Sequence, residues 1–386
     1  MPLATTPEIL ERLVAFRSEF TADDYSAITD FAADHLAALG FTVHRLAGKT
    51  PGRAGLFASL GPAGPGGTLL SAHLDVVPVA GQPWTVDPFR LTRRDGRLYG
   101  RGTTDMKGFA AATLALAARA AARPLAAPLK IALSYDEEAG CVGIAEMIGA
   151  LDETIGVPEF CIVGEPTSMQ VATGHKGKTS HRIRFTGTPG HSASAPLYVN
   201  ALHLAAEAVA LLRAVQDRLA ASGARDPAFD VPYTTVHVGT LHGGTALNIV
   251  PDHAELLFEI RHLAAEDPAV LLAGIAAEIA AIADRWHARH PAAGGVIEPI
   301  NAYPGLETAT DAEVVRMALD LGARAPLTKV SYGTEAGFFA ERWGIPTVVC
   351  GPGDMMQGHK PDEFVAESEL AACDAMLDRL LDRLAA

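Results

Sequence analysis

The sequence predicts an α/β protein, a large domain on a central sheet with a smaller α+β sandwich inserted into it. Three observations predict this. Apolar runs at 68–72, 129–135, 160–163 and 347–350 are short enough to be buried strands and alternate with helical periodicity, the pattern of a layered sheet covered by helices. From Lys178 the order changes to β-α-β-β-α, which suits a separate small sandwich. The chain has 386 residues, of which 49% are hydrophobic, more material than one small core requires.

The elements follow in order. The opening segment, residues 1–20, has apolar residues at helical spacing, and 25–39 reads as an amphipathic helix closed by Gly40. Strands are expected at 41–46, 55–60 and 68–72, the second inside a Gly- and Pro-rich stretch. An alanine-rich helix at 109–122, a strand at 129–135, a helix at 143–151 and a strand at 160–163 complete the first half. The inserted domain takes strands at 180–186, 234–241 and 254–262 and helices at 201–219 and 268–287. After it come a helix at 311–321, a strand at 347–350 and a final helix at 367–384. The expected boundaries are 1–177 with 291–386 for the larger domain and 178–290 for the insertion.

A net charge of −14 argues against nucleic acid as a partner, since neutralising phosphates needs surplus Lys and Arg. Four scattered cysteines suit a reducing compartment, so the cytoplasm is expected. The N-terminal segment carries Glu8, Glu11, Arg12 and Arg17, unlike a signal peptide, and no apolar run reaches the ~20 residues of a membrane span.

Five segments carry potential chemistry, each at or after a strand end, where open α/β sheets bind ligands. His73 could hold a metal while Asp75 orients its ring; the alternative is a hydrogen-bonded histidine in a turn. Asp105 lies between glycines before the alanine-rich helix, as a ligand or as a helix N-cap. Asp136, Glu137 and Glu138 follow a buried strand, as a cation site or a solvated acidic loop. Glu165 follows another strand, and His359 stands in a Gly-rich loop after the last. Together they form the mixed His and carboxylate donor set that ions of the zinc class accept, and two ions can share it.

These motifs, in this order and over essentially the whole chain, resemble the dinuclear-zinc family that includes acetylornithine deacetylase, succinyl-diaminopimelate desuccinylase, aminoacylase and the glutamate carboxypeptidases. The resemblance implies a metallopeptidase-like catalytic domain with a lid or dimerisation insertion, and two divalent ions, zinc first, with cobalt or manganese as alternatives. It makes Asp105 the bridging ligand, with His73 and Glu165 on one ion and Glu138 and His359 on the other. Glu137 becomes the general base and Asp75 the support of His73. His191, in the insertion, becomes the oxyanion donor, often across a dimer interface, with a surface histidine at a turn as the alternative. Asn248 and Arg261 would address the substrate, Arg261 through its α-carboxylate or, alternatively, as a structural ion pair with Glu259.

The segments around Ser331 to Gly337, Gly351 to Gly353 and His359 to Glu363 look most like the acetylornithine deacetylase branch, with Glu335 reading the ornithine ammonium. Leu74, Gly337 and Arg101 depart from the family pattern without removing a ligand. The expectation is a homodimeric enzyme of arginine biosynthesis that hydrolyses N-acetyl-L-ornithine. A sister amidohydrolase for another N-acyl amino acid, succinyl-diaminopimelate or a dipeptide is the alternative. A metal-stabilised binding protein is a third reading, against which Glu137 stands as a carboxylate without ligand duty.

Overall fold

A computed structural model describes residues 5–386; the first four residues of the expected opening helix lie outside them. The described chain divides into two compact units, one of residues 5–175 and 306–386, the other of 176–305.

The larger unit is built on a nine-stranded sheet. At its centre Leu129–Ser134, Thr68–His73, Phe160–Pro166 and Thr347–Gly351 run parallel, in that spatial order. Every residue of these four strands is buried, which is why they read as continuous apolar runs rather than alternating ones. Ala54–Leu60 and Thr42–Ala47 extend the sheet on one side, and Gln170–His175, Leu306–Glu307 and Arg324–Val330 on the other. The helix Lys107–Ala120 is buried at all but one position and packs on the sheet beneath the helices Thr6–Val14 and Glu367–Ala385. Its alanines permit that coverage on every side.

A parallel arrangement gathers the carboxyl ends of the four strands at one edge. Register confirms the alignment: His73 lies opposite Ser134, and Ser71 opposite Val163. A small sheet of Thr92–Arg94, Arg97–Tyr99 and Phe364–Ala366 ties the chain after His359 to the segment before Asp105.

The smaller unit is a four-stranded antiparallel sheet, in the order Thr235–Gly243, His253–His262, Gly177–Thr186, Gly294–Tyr303. The helices Ala201–Ser222 and Pro268–His287 pack against it, and Phe185, Leu204, Leu212, Leu256, Ile260 and Ile279 form their common core. Period-two burial along His253–His262 matches a sheet with one covered face. Residues 291–305, expected in the larger domain, instead supply the fourth strand here, pairing Gly177–Thr186 from Gly294 to Tyr303. Gly294, Gly295, Pro299 and Asn301 dilute that strand's signal.

Candidate metal centre

His73 ends its strand fully buried. Its Nδ1 lies 3.0 Å from the Asp75 carbonyl oxygen and 3.6 Å from Asp75 Oδ1. A proton on Nδ1 would therefore be held by Asp75, leaving Nε2 to face Asp105 Oδ1 at 3.1 Å and Glu165 Oε1 at 3.8 Å. Asp75 also accepts from the backbone amides of Glu137 at 3.1 Å and Glu138 at 3.0 Å, so one buried carboxylate positions the histidine and the acidic turn together.

That turn is anchored from behind. Asp136, at φ 48°, accepts from Tyr25 Oη at 2.6 Å and from Arg53 Nε at 3.0 Å. Arg53 also donates to the carbonyls of Phe20, Ala22 and Asp23. Left-handed backbone is unfavourable for a residue with a Cβ, and this network is what holds it.

From the loop after Thr347–Gly351, His359 Nε2 reaches Asp105 Oδ2 at 3.0 Å and Glu138 Oε2 at 3.0 Å. The two oxygens of Asp105 thus face two different imidazoles. Donor atoms of His73, Asp105 and Glu138 lie within 4.8 Å of one another, as do those of His73, Glu137 and Glu165.

The electrostatics of the cluster call for cations. Burial raises Glu137 to about 8 and Glu138 to about 7, and pushes Glu165 well above the usual carboxylate range. Hydrogen bonds that its ring donates to the carboxylates of Asp105 and Glu138 raise His359 to about 11. Burial opposes protonation of His73, yet Asp105 and Asp75 hold its pKa well above the ordinary value. Asp105 is pushed down despite burial, because both imidazoles bond to it. Protons here stand where positive charge is needed. A tetrahedral ion at about 2.0–2.1 Å from each donor spaces its ligand atoms about 3.3 Å apart. Separations of 3.0–3.8 Å between the imidazole and carboxylate atoms fit that requirement.

Seven expected site residues therefore meet at the strand ends: His73, Asp75, Asp105, Glu137, Glu138, Glu165 and His359. Glu335 is placed otherwise. It is 1% exposed, accepts from Ser71 Oγ at 3.1 Å on the central strand, and is raised to about 7 by burial. Its carboxylate therefore lies buried against the central strand, bonded to Ser71.

His191, Asn248 and Arg261 belong to the smaller unit. His191 is exposed, its strand residue pairs with Ile249, and the amide of Ser192 donates to the Asn248 carbonyl at 3.0 Å. His191 Nδ1 accepts from the Ala193 amide at 3.1 Å. Arg261 donates to Glu259 Oε1 at 2.9 Å and to Tyr303 Oη at 3.3 Å, the ion pair held open as its alternative.

Sequence reasoning missed Glu363. Its buried carboxylate accepts from Arg101 at 2.6 Å and from the amides of Gly102, Thr104 and Asp105 at 3.1, 2.9 and 3.1 Å. The available signal was an acid directly before the apolar Phe364 and Val365. Cys141 was also missed: its thiol donates to Glu137 Oε1 at 3.2 Å from the start of the helix Val142–Met147.

Strand-end imidazoles and carboxylates spaced for divalent ions, with a further buried acid beside them, define a metal-dependent hydrolase. Residues 69–383 match peptidase family M20/M25/M40, and the chain belongs to that family. It is 35% identical to an acetylornithine deacetylase of Photorhabdus laumondii, over 97% of this chain and 96% of that one. It is 36% identical to one of Proteus mirabilis, over 98% and 97%. In fold it resembles an M20 family metallo-carboxypeptidase from Sulfolobus solfataricus, with a TM-score of 0.77 at 17% identity over 99% of both chains. Human carnosine dipeptidase 1 gives 0.74 at 17% identity, over 98% and 96%.

Proposed function

We propose that this chain removes the acetyl group of N-acetyl-L-ornithine, releasing L-ornithine and acetate, with two zinc ions. The observation that carries the reading is the convergence of five donors and a spare glutamate in a chain whose near-full-length relatives are acetylornithine deacetylases. His73 and Glu165 would hold one ion and Glu138 and His359 the other. Asp105 would bridge, a role supported by its two oxygens facing the two histidines. Bound there, the ions would polarise the acyl carbonyl and acidify water.

The remaining chemistry belongs to the protein. Glu137 takes a proton from the attacking water as the C–O bond forms, then gives it to the ornithine nitrogen as the C–N bond breaks. Asp75 fixes the turn that presents Glu137 through that residue's own amide. His191 supplies a hydrogen bond to the developing oxyanion, from its own chain or from a second copy in a homodimer. Asn248 and Arg261 contact the substrate, Arg261 by exchanging Glu259 for the α-carboxylate.

Four buried, unpaired cysteines favour a cytoplasmic enzyme, and no described helix is long and apolar enough to cross a membrane. The test is release of free amine from N-acetyl-L-ornithine, N-acetylmethionine and N-succinyl-diaminopimelate, assayed in parallel with chelated enzyme and with zinc, cobalt or manganese restored. Preference for acetylornithine that disappears on chelation is expected. Metal-dependent turnover of another substrate would keep the reaction and change the substrate.

A further inference from the structure

The loop that carries His359 is not self-supporting. His359 and Asp362 both have left-handed backbone, φ 60° and 55°, without the freedom glycine would give. Outside contacts hold it. Gln82 Nε2 donates to the His359 carbonyl at 3.0 Å, and the Thr85 amide and hydroxyl donate to the two oxygens of Asp362 at 2.8 and 2.7 Å. Glu363, four residues after His359, grips the Asp105 segment through three amides.

Gln82 also closes a circuit between these loops. Its Oε1 accepts from Arg101 Nη2 at 2.6 Å and from Trp84 Nε1 at 2.9 Å, while Arg101 Nη1 bonds Glu363 at 2.6 Å. Arg101, 1% exposed, lies over the Trp84 ring at 5.1 Å. One side-chain amide thus connects the backbone of His359 to the guanidinium that locks the Asp105 loop.

We infer that Gln82, in the strap from Gln82 to Thr85, is a positioning residue for the ion held by Glu138 and His359, setting His359 through its carbonyl. The inference rests on the proposed assignment of Asp105, Glu138 and His359 as ligands. Groups that orient a ligand from behind typically change metal affinity about 10–100-fold when lost. Gln82 is only partly buried, so its truncation opens no cavity in the core.

The experiment is calorimetric titration of the chelated full chain with Co(II), with the cobalt absorption spectrum recorded in parallel. The wild type is expected to take up two ions in two steps. Gln82→Ala should weaken one step about 10–100-fold and the other markedly less, with the melting temperature of the metal-free chain preserved. In a His359→Ala background the same substitution should lose most of this selective effect, because the ligand it positions is gone. Unchanged affinities in Gln82→Ala, or equal weakening of both steps, would overturn the inference. Fewer than two ions on the wild type would instead overturn the ligand assignment beneath it.

Discussion

Replacing Glu335 by glutamine should stabilise the metal-free chain at alkaline pH and not at acid pH. Burial raises this carboxyl from 4.5 to about 7, so the folded state retains its proton where the unfolded state has lost it. Below pH 4.5 both states are protonated and Glu335 has no pH-dependent effect. As pH rises from 4.5 to 7 the unfolded state binds fewer protons than the native state, and stability falls. Above 7 both are ionised and the full penalty remains. At about 1.4 kcal/mol per pH unit, that interval corresponds to about 3 kcal/mol. Glutamine keeps an acceptor for Ser71 and carries no charge, so it escapes the penalty. Urea unfolding of wild type and Glu335→Gln in chelator, at pH 5 and pH 8, reads the difference; the variant's advantage should grow by about 2–3 kcal/mol between the two. An equal difference at both pH values would show that Glu335 is not held neutral by burial, and the reasoning would fail.

Other outcomes are expected. Glu137→Gln should lower kcat about 10²–10⁴-fold with two ions still bound, measured by steady-state kinetics and metal analysis, if it moves the proton. Asp75→Asn, which weakens the support of His73 and of two amides in the acidic turn, should reduce metal affinity about 10–100-fold in a chelator competition assay. Arg53→Ala should destabilise the protein by about 3–5 kcal/mol in denaturant titration, since it strands Asp136 in a pair only 7% and 12% exposed. Metal stripping should lower the melting temperature in a manner that depends on the concentration of ion restored, because ligands that bind only the native state stabilise it by mass action.

What the sequence made legible followed from burial. The four central strands announce themselves as apolar runs, and the residues at their carboxyl ends inherit a shared location from parallel pairing. His73, the acidic turn and Glu165 could therefore be grouped before any coordinates. Strands with weak signals escaped: Gly294–Tyr303 and Arg324–Val330 are largely half-buried or exposed and interrupted by Gly or Pro. The burial of Glu335 was not legible, because a polar residue at a helix start gives no sign of how deeply it packs against the sheet. Glu363, Gln82 and Arg101 were invisible as a group because their contacts span up to 277 residues of chain, a distance no local pattern encodes.

The strand Thr347–Gly351 sits inside the large sheet, between Phe160–Pro166 and Gln170–His175, although nearly two hundred residues separate it from the former. On a ribosome, the first half of the sheet therefore emerges with an unfilled slot, two unsatisfied strand edges waiting for a partner still to be synthesised. Residues 176–305 form a contiguous compact unit and can fold during that wait, and His175 and Leu306 at its two ends pair directly. Early folding of the insertion would shorten the effective loop that the late strand must close and speed its docking. Truncated translation products ending before Thr347 would keep the slot open, making them natural clients for chaperones and seeds for aggregation.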